Sequence, residues 1–496
     1  MTATRRGRRA PANSAEPLQI AARLASLVEA HAGSDQPRLI SSTFALGRDA
    51  GPDPIGLFAA AMQAGHEPSL WLKPVDGLTL VGVGRAWSVR AQGPGRFGAV
   101  AEAWARLLGA TRPGGGVPAD RAVGPLLIGG LGFTGDLPTD PVWVPFGAAS
   151  LSVPELLYVR TPEGCWLTAS FLAGGMVDAP AGTQPDPPWQ LASLWADLET
   201  GAAVVAAGLG ADERAAGRRP LTVVSERPNR LTWDRLVDRF AGAVGRGRLD
   251  KVVLARRRDL TSPVEIDTVA ALRRLAAGSP TSATYAFVRG GSTFLGATPE
   301  RLISTQGKDF QTVAIAGSIR HDDDAAQEAS LAAELLSSDK DREEHEIVVD
   351  VIRTMLEPVA SEIHVAPSPV VATFGTVQHL VTTVTGRLRD RAGILSLVGL
   401  LHPTPAVGGE PRALALELIA EHEGFERGWY AGPLGWVGPD GDGEFVVALR
   451  CAVVAGRTAA LFAGCGIVAD SDPAREWEES RNKMQVVASA LGEVLP

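Results

Sequence analysis

The stretch Thr284–Ile315, TYAFVRGGSTFLGATPERLISTQGKDFQTVAI, decides the fold class. Four short apolar runs lie within it: Thr284–Val288, Ser292–Ala297, Arg301–Thr305 and Gln311–Ile315. Two of the joints are the turn signals Gly290-Gly291 and Gly307-Lys308. Runs of that length with links that short read as a meander of strands paired antiparallel. On the C-terminal side follow two helical runs, Asp324–Leu336 and Asp341–Leu356. Strands are then expected at Gly435–Val437, Glu444–Leu449 and Ala459–Ala463, and a closing helix at Pro473–Leu491. On the N-terminal side, Lys251–Ala255 reads as a strand. Before it comes a helix, Leu231–Val244, with Asn229 as its cap and Leu236, Val237, Phe240 and Val244 at helical spacing.

Further back, Phe97–Leu108 and Leu18–Val28 have helical periodicity, and Trp71–Val89 reads as strands broken at Asp76-Gly77. Residues 112–120 and 178–188 are irregular. Strands, then helices, then strands, without regular βαβ alternation, give an α+β fold with large antiparallel sheets and helices packed outside.

A chain of 496 residues with 45% hydrophobic and 21% charged side chains can bury a sizeable core. Its net charge of -9 disfavours a broad nucleic-acid or anionic-membrane footprint, though not a local cationic pocket. Cys165, Cys451 and Cys465 are too few and too scattered for a disulfide framework or a zinc site. A reducing, cytoplasmic setting follows, and no apolar run is long enough to span a membrane. Arg5, Arg6, Arg8 and Arg9, with no acid before Glu16, read as a disordered basic tail over 1–16 rather than a transit peptide. The oligomeric state has no sequence signal.

Two helices carry carboxylates in line with their apolar stripes. Glu344, Val348, Val351 and Met355 share one face, with Asp341 one turn earlier. On the last helix Glu476, Glu479, Lys483 and Val487 align beside the strip Trp477, Met484, Ala488 and Leu491. A buried carboxylate needs a cation or a shifted pKa. One reading is a stripe-edge Glu344 and an ordinary Glu479–Lys483 surface pair. The other is two helices offering oxygen ligands to one divalent metal, for which magnesium suits a site without clustered cysteine or histidine. Spacing alone favours the first.

A set of ordered motifs changes that balance. They are KVVLAR (251–256), ATPERL (297–302), AIAGS (314–318), KDREEH (340–345), VQHL (377–380), LHPTPAVGG (401–409), RGWYAGP (427–433), GEFVVALR (443–450), LFAGCGIV (461–468) and SDPAREWEE (471–479). Through them residues 230–490 resemble the chorismate-utilising enzymes, and in detail the isochorismate synthases, with features of the menaquinone branch and siderophore biosynthesis as the other pathway the resemblance leaves open. The resemblance implies an anthranilate synthase component I-like, chorismate-binding fold, a large two-sheet antiparallel sandwich. Residues 17–225 would be its variable half and 226–496 its catalytic half.

The resemblance also implies roles. Lys251 is the general base that activates water, which requires an amine made neutral by burial or by cations such as Arg256. Glu300 is the general acid for the departing hydroxyl, which requires a raised pKa. Glu344 and Glu479 hold Mg2+, with Asp341 and Glu476 beside them or bound through water. Arg450 and Tyr430 grip the enolpyruvyl carboxylate, Gly464 and Gly466 let backbone amides approach the anion, and Ser318, His379 and Lys483 assist. Read without the resemblance, Arg450 is a strand-end charge and His379 a satisfied core histidine.

Ammonia-using relatives differ at marked positions. The anthranilate-forming enzymes have glutamine where Lys251 stands, and the aminodeoxychorismate-forming enzymes have a lysine where Ala316 stands. No glutaminase partner is therefore expected. Salicylate synthases, which also eliminate pyruvate, share the base, acid and metal and stand as the alternative. A silent chorismate-fold binding protein is argued against by intact Lys251, Glu300, Glu344 and Glu479. Gly129–Gly135 and Gly290-Gly291 fit no nucleotide-binding pattern, and Asp440-Gly-Asp-Gly443 reads as a hairpin turn rather than a calcium loop.

Overall fold

The structure is a computed structural model that describes residues 38–47, 51–109, 122–173, 190–212, 221–374 and 377–492, with 22, 23 and 26 besides. The expected basic tail, the irregular segments 112–120 and 178–188, and all but three residues of the expected helix over 18–28 lie outside the described residues.

Two antiparallel sheets face each other. In the first, Arg38–Gly47, Gly164–Ala173, Leu156–Thr161, Leu78–Val83, Ser69–Lys73, Ala283–Arg289, Ser292–Thr298, Cys451–Ala455, Thr458–Ile467 and Lys251–Thr261 lie side by side in that order. Gly409–Glu410 and Thr222–Arg227 both pair with Lys251–Thr261 at its far edge. The second runs Ala360–Val365, Val377–Leu388, Asp309–Arg320, Arg301–Gln306, Gly443–Val447, Pro433–Val437, Leu127–Leu131, Ala149–Val153 and Trp87–Arg90, with Val370–Phe374 also on Val377–Leu388. Both halves of the chain supply strands to both sheets. The expected α+β sandwich is the observed one.

Alternation puts one side of each strand into the space between the sheets. There Trp143, Phe146, Phe294, Trp429 and Phe462 meet with ring centroids 5.2–6.1 Å apart. The outer face of the first sheet, with Leu70, Val81, Leu167, Ala286 and Leu461, is covered by helices. These are Pro54–Gln63, Leu191–Asp212, Thr268–Gly278 and the end of Pro473–Leu491, through Phe58, Trp195, Leu272 and Leu491. Helix starts follow their sequence signals. Asn229 accepts from Thr232 N at 3.0 Å, and Asp472 from the amides of Ala474 and Arg475. Each such cap contributes about 1 kcal/mol.

The four-strand meander is in fact two hairpins in different sheets. Ala283–Arg289 pairs with Ser292–Thr298 in the first, and Arg301–Gln306 with Asp309–Arg320 in the second. Pro299 has no N–H to give a ladder, and the chain changes sheets there. It changes back at Ala448–Arg450, between Gly443–Val447 and Cys451–Ala455. The two crossings are tied together. Val447 N donates to Glu300 O at 3.0 Å, Thr298 Oγ1 to Val447 O at 2.6 Å, and Ala297 N to Arg450 O at 3.3 Å. Arg450 has φ +48°, a left-handed conformation that costs a non-glycine residue of order 1 kcal/mol. Glu300 and Arg450 therefore sit together because both lie where the chain passes between sheets.

The helix Asp339–Leu356 is also rotated from expectation. Its buried line is His345, Val348, Ile352 and Leu356, and Glu344, Val351 and Met355 run along the flank. His345 Nε2 meets Thr382 Oγ1 at 2.7 Å, which turns its neighbour Glu344 toward the cleft. Gly129 and Gly130 are ladder residues of Leu127–Leu131, and Asp440–Asp442 form the expected hairpin turn. Among the described residues no helix is long and apolar enough to cross a membrane.

Candidate active site

A pocket with about 660 Å³ of space between atoms opens where the Lys251–Thr261 and Thr458–Ile467 strands approach the second sheet. Lys251, Glu300, Ser318, His379, Tyr430, Arg450, Gly464, Gly466 and Lys483 all line it, as does Glu344. Residues spread over more than two hundred positions of sequence thus converge. Asp341, Glu476 and Glu479 are not among the lining residues.

Lys251 is 1% exposed, and its Nζ lies 2.9 Å from Glu344 Oε1. Burial pushes the Glu344 carboxyl up, but Lys251 beside it, then Lys483 and Lys340, outweigh this and hold it below the usual carboxylate range. Arg256 is not part of this group. It lies an odd number of residues along the strand from Lys251, hence on the opposite face. There it donates to Ser480 Oγ at 2.8 Å and stacks 3.1 Å over the Trp477 ring. The expectation that Arg256 tunes Lys251 fails for that reason.

Gly466 is what admits the pair. A Cβ at this position would lie 2.3 Å from Glu344 Oε1 and 2.5 Å from Lys251 Cε. We expect Gly466→Ala to displace both side chains and to lower kcat/KM by about a hundredfold with little loss of folded protein. Steady-state kinetics beside a melting curve check this; unchanged kinetics would remove the pair from the site.

Glu300 is buried, and burial pushes its carboxyl up to about 7, against the pull of Lys251, Lys483 and Arg450. A carboxyl raised that far is able to donate a proton near neutrality. Burial brings Arg450 down to about 10, while Glu300 supports its charge. Arg450 Nη2 lies 2.7 Å from His379 Nε2 and Nη1 donates to Phe374 O at 2.5 Å. A guanidinium can only donate, so His379 Nε2 is the acceptor and the proton sits on Nδ1. Nδ1 lies 2.9 Å from Ser318 Oγ and 3.2 Å from Gly317 O. Burial and then Arg450 hold His379 well below its ordinary pKa, in this neutral form. Gly317, at φ +74°, makes the bulge between Ala316 and Ser318 that brings these atoms into line. Arg450 is therefore no surface charge, while His379 is a buried histidine with both ring nitrogens satisfied, as the plain reading has it, and one of its partners is Arg450.

Lys483, in the pocket lining, belongs to a second charged group. Lys483 Nζ donates to Glu479 Oε1 at 2.7 Å and to Gly464 O at 3.2 Å, and Lys340 Nζ to Glu476 Oε1 at 2.8 Å. Asp341 accepts from Ser318 N at 3.3 Å and pairs with Ser338 Oγ. Burial and then Glu479 push the Glu476 carboxyl up. Among the described residues no three His, Cys, Asp or Glu side chains converge as metal ligands. The Glu479–Lys483 pair of the plain reading is formed, but at the back of a pocket rather than on a solvated face.

With this geometry in place, comparison with known proteins is decisive. The family described as "Chorismate binding enzyme" matches residues 25–492. The chain belongs to that family. It is 33% identical to the isochorismate synthase MenF of Bacillus subtilis over 451 residues, 89% of this chain and 91% of that one. To the salicylate biosynthesis isochorismate synthase of Pseudomonas aeruginosa it is 34% identical over 481 residues, 93% and 91% of the two chains. The solved structure of MenF, the menaquinone-specific isochorismate synthase of Escherichia coli, superposes with a TM-score of 0.71 at 27% identity, over 96% of this chain and all of that one.

The chorismate-binding enzyme described here also has supports that sequence reading missed. Glu423 Oε1 accepts from Ala255 N at 2.8 Å. Its partner Arg427 donates to Val253 O at 2.9 Å and Val407 O at 2.7 Å. Val253 and Val407 line the pocket, so this buried ion pair fixes two of its walls. A spacing of four residues reads as a helical surface pair, and nothing local signals that Glu423 ends its helix facing inward. Tyr285 is a second case: its hydroxyl donates to Leu449 O at 3.2 Å, beside Arg450.

Proposed function

We propose that this protein is an isochorismate synthase, an isomerase that converts chorismate to isochorismate by adding water at one ring carbon and losing hydroxide from another. The observation that carries the reading is that Lys251 and Glu300 line one pocket, with the Glu300 carboxyl raised to about 7. Lys251 as a free amine, the form that the base role requires, takes a proton from water as the water's oxygen bonds to the ring. The ring double bond shifts, and Glu300 gives its proton to the hydroxyl that departs. One water enters and one leaves, so the product is an isomer. Arg450, held by neutral His379, offers its fork to the enolpyruvyl carboxylate, with Tyr430 alongside. Ala316 leaves the wall short at that position, with no amine to attack the ring.

The family resemblance implies a magnesium ion, and the donor chemistry fits one. Glu344, Glu479 and Glu476 supply only oxygens, and Glu476 Oε2 is buried with no hydrogen-bond partner. Magnesium keeps several waters and needs only one or two carboxylates, so three converging ligands are not required. Glu344 and Glu479 would hold it, with Asp341 and Glu476 beside them. When bound it supplies positive charge for the ring carboxylate.

Names of relatives tie the same product to menaquinone and salicylate routes, and either use is compatible with this site. The test is chromatography of the products after mixing the protein with chorismate, with and without magnesium. Isochorismate without pyruvate, formed only with magnesium, is the expected result. Salicylate with pyruvate, above spontaneous decay, would overturn it in favour of a salicylate synthase.

A further inference from the structure

Arg289 closes the Ala283–Arg289 strand and is 2% exposed. It follows Tyr285 and Phe287 by even steps, so its stem enters the space between the sheets with their rings. Among the described residues its guanidinium makes one hydrogen bond, from Nη1 to its own neighbour, Val288 O, at 2.7 Å; Nε is buried without a partner, and Cζ lies 5.9 Å from the Phe287 ring. No acidic side chain among the described residues pairs with it. The charges that reach it are those of Arg85 and Arg90, and both repel it.

Two other buried arginines are different: Arg427 has Glu423, and Arg256 has Glu226. Arg96 gives its guanidinium to the carbonyls of Gly93, Gly132 and Phe133. Arg289 instead stands near two further arginines and one carboxylate, Glu67, which pairs with Arg85 and not with Arg289. Arg85 is anchored to the same turn, because Glu67 pairs with Arg85 and also accepts from Gly290 N at 2.6 Å. Arg90 arrives from the opposite sheet, at the end of Trp87–Arg90. None of the three arginines lines the catalytic pocket.

Burying a guanidinium without a counter-charge is costly, and three guanidiniums against the one carboxylate of Glu67 leave the cluster with excess positive charge. A fold keeps such a group when something supplies the missing negative charge. We propose that Arg289, Arg85 and Arg90 form a binding site for a small oxyanion, a phosphate or a carboxylate, at the end of the sandwich away from the catalytic pocket. A guanidinium fork matches two oxygens of either group. The depth of Arg289 restricts the ligand to a small one.

The test is thermal melting of the full chain, without chorismate, in phosphate, in succinate and in chloride at matched ionic strength. The wild type melts higher in phosphate or succinate than in chloride, and whichever anion acts assigns the ligand class. Arg289→Met loses that gain and melts above the wild type in chloride, because an apolar side chain replaces an uncompensated charge. A purely structural arginine would give a variant that melts lower in every salt. Should Arg289→Met not fold, Arg90→Ala, at an exposed position, serves instead: the anion concentration needed for half the gain rises about tenfold. Equal gains in wild type and variants, or no gain in the wild type with either anion, would overturn the proposal.

Discussion

Lys251→Ala is expected to lower kcat for isochorismate formation by about a thousandfold while chorismate still binds, because the loss is that of a positioned base. The alanine also leaves Glu344 without its 2.9 Å partner, so it breaks the pair as well as removing the amine. Lys251→Arg separates the two effects. It keeps a cation for Glu344 but cannot give up its proton near neutral pH. Both variants should be equally inactive if Lys251 works as a base. Substantial turnover by the arginine variant would show that the position supplies only charge. Single-turnover kinetics with a parallel chorismate-binding titration distinguish these cases.

Glu300→Gln is expected to lose activity by a similar factor and to gain stability, and the gain depends on pH. Burial raises the folded-state pKa from 4.5 to about 7. The folded protein therefore binds a proton that the unfolded chain has released. Stability from the neutral carboxyl is fully present below the unfolded value and is lost as pH rises through the folded one. Glutamine stays neutral throughout and escapes that loss. The variant's advantage over the wild type should be roughly 2 kcal/mol larger at about pH 8 than at about pH 5.5. Urea unfolding at the two pH values measures it. The same proton sets the rate: wild-type kcat/KM should fall above about pH 7 as Glu300 ionises. An advantage that does not change with pH would mean that Glu300 is ionised in the folded protein and is not the acid.

Much of this site is legible in the sequence, because its residues sit in local patterns. The helix over Pro473–Leu491 follows from periodicity, but on spacing alone its glutamates read as part of a surface face, and only the family resemblance moves them to a site. What is not legible depends on register between distant strands. The run from Thr284 to Ile315 reads as one sheet, since a local pattern cannot show that Pro299 sends the chain to another. Yet that crossing, with its counterpart at Ala448–Arg450, is what brings Glu300 beside Arg450. The expected link between Arg256 and Lys251 fails on strand alternation, a rule available in the sequence. The expected face of the helix at Glu344 is off by one residue, because the packing of His345 on Thr382 sets the rotation. Gly466 is expected to open the backbone to an anion, and the structure shows its space filled by Lys251 and Glu344.

The central claim is that Lys251 and Glu300 exchange one hydroxyl for another across the ring rather than moving the existing one. Turnover in oxygen-18 water, followed by mass spectrometry of the isochorismate formed, tests it directly. Product that carries one heavy oxygen in its ring hydroxyl is the predicted result, since the entering oxygen comes from solvent. Unlabelled isochorismate would mean that the original hydroxyl migrates, and would contradict the roles assigned to both residues.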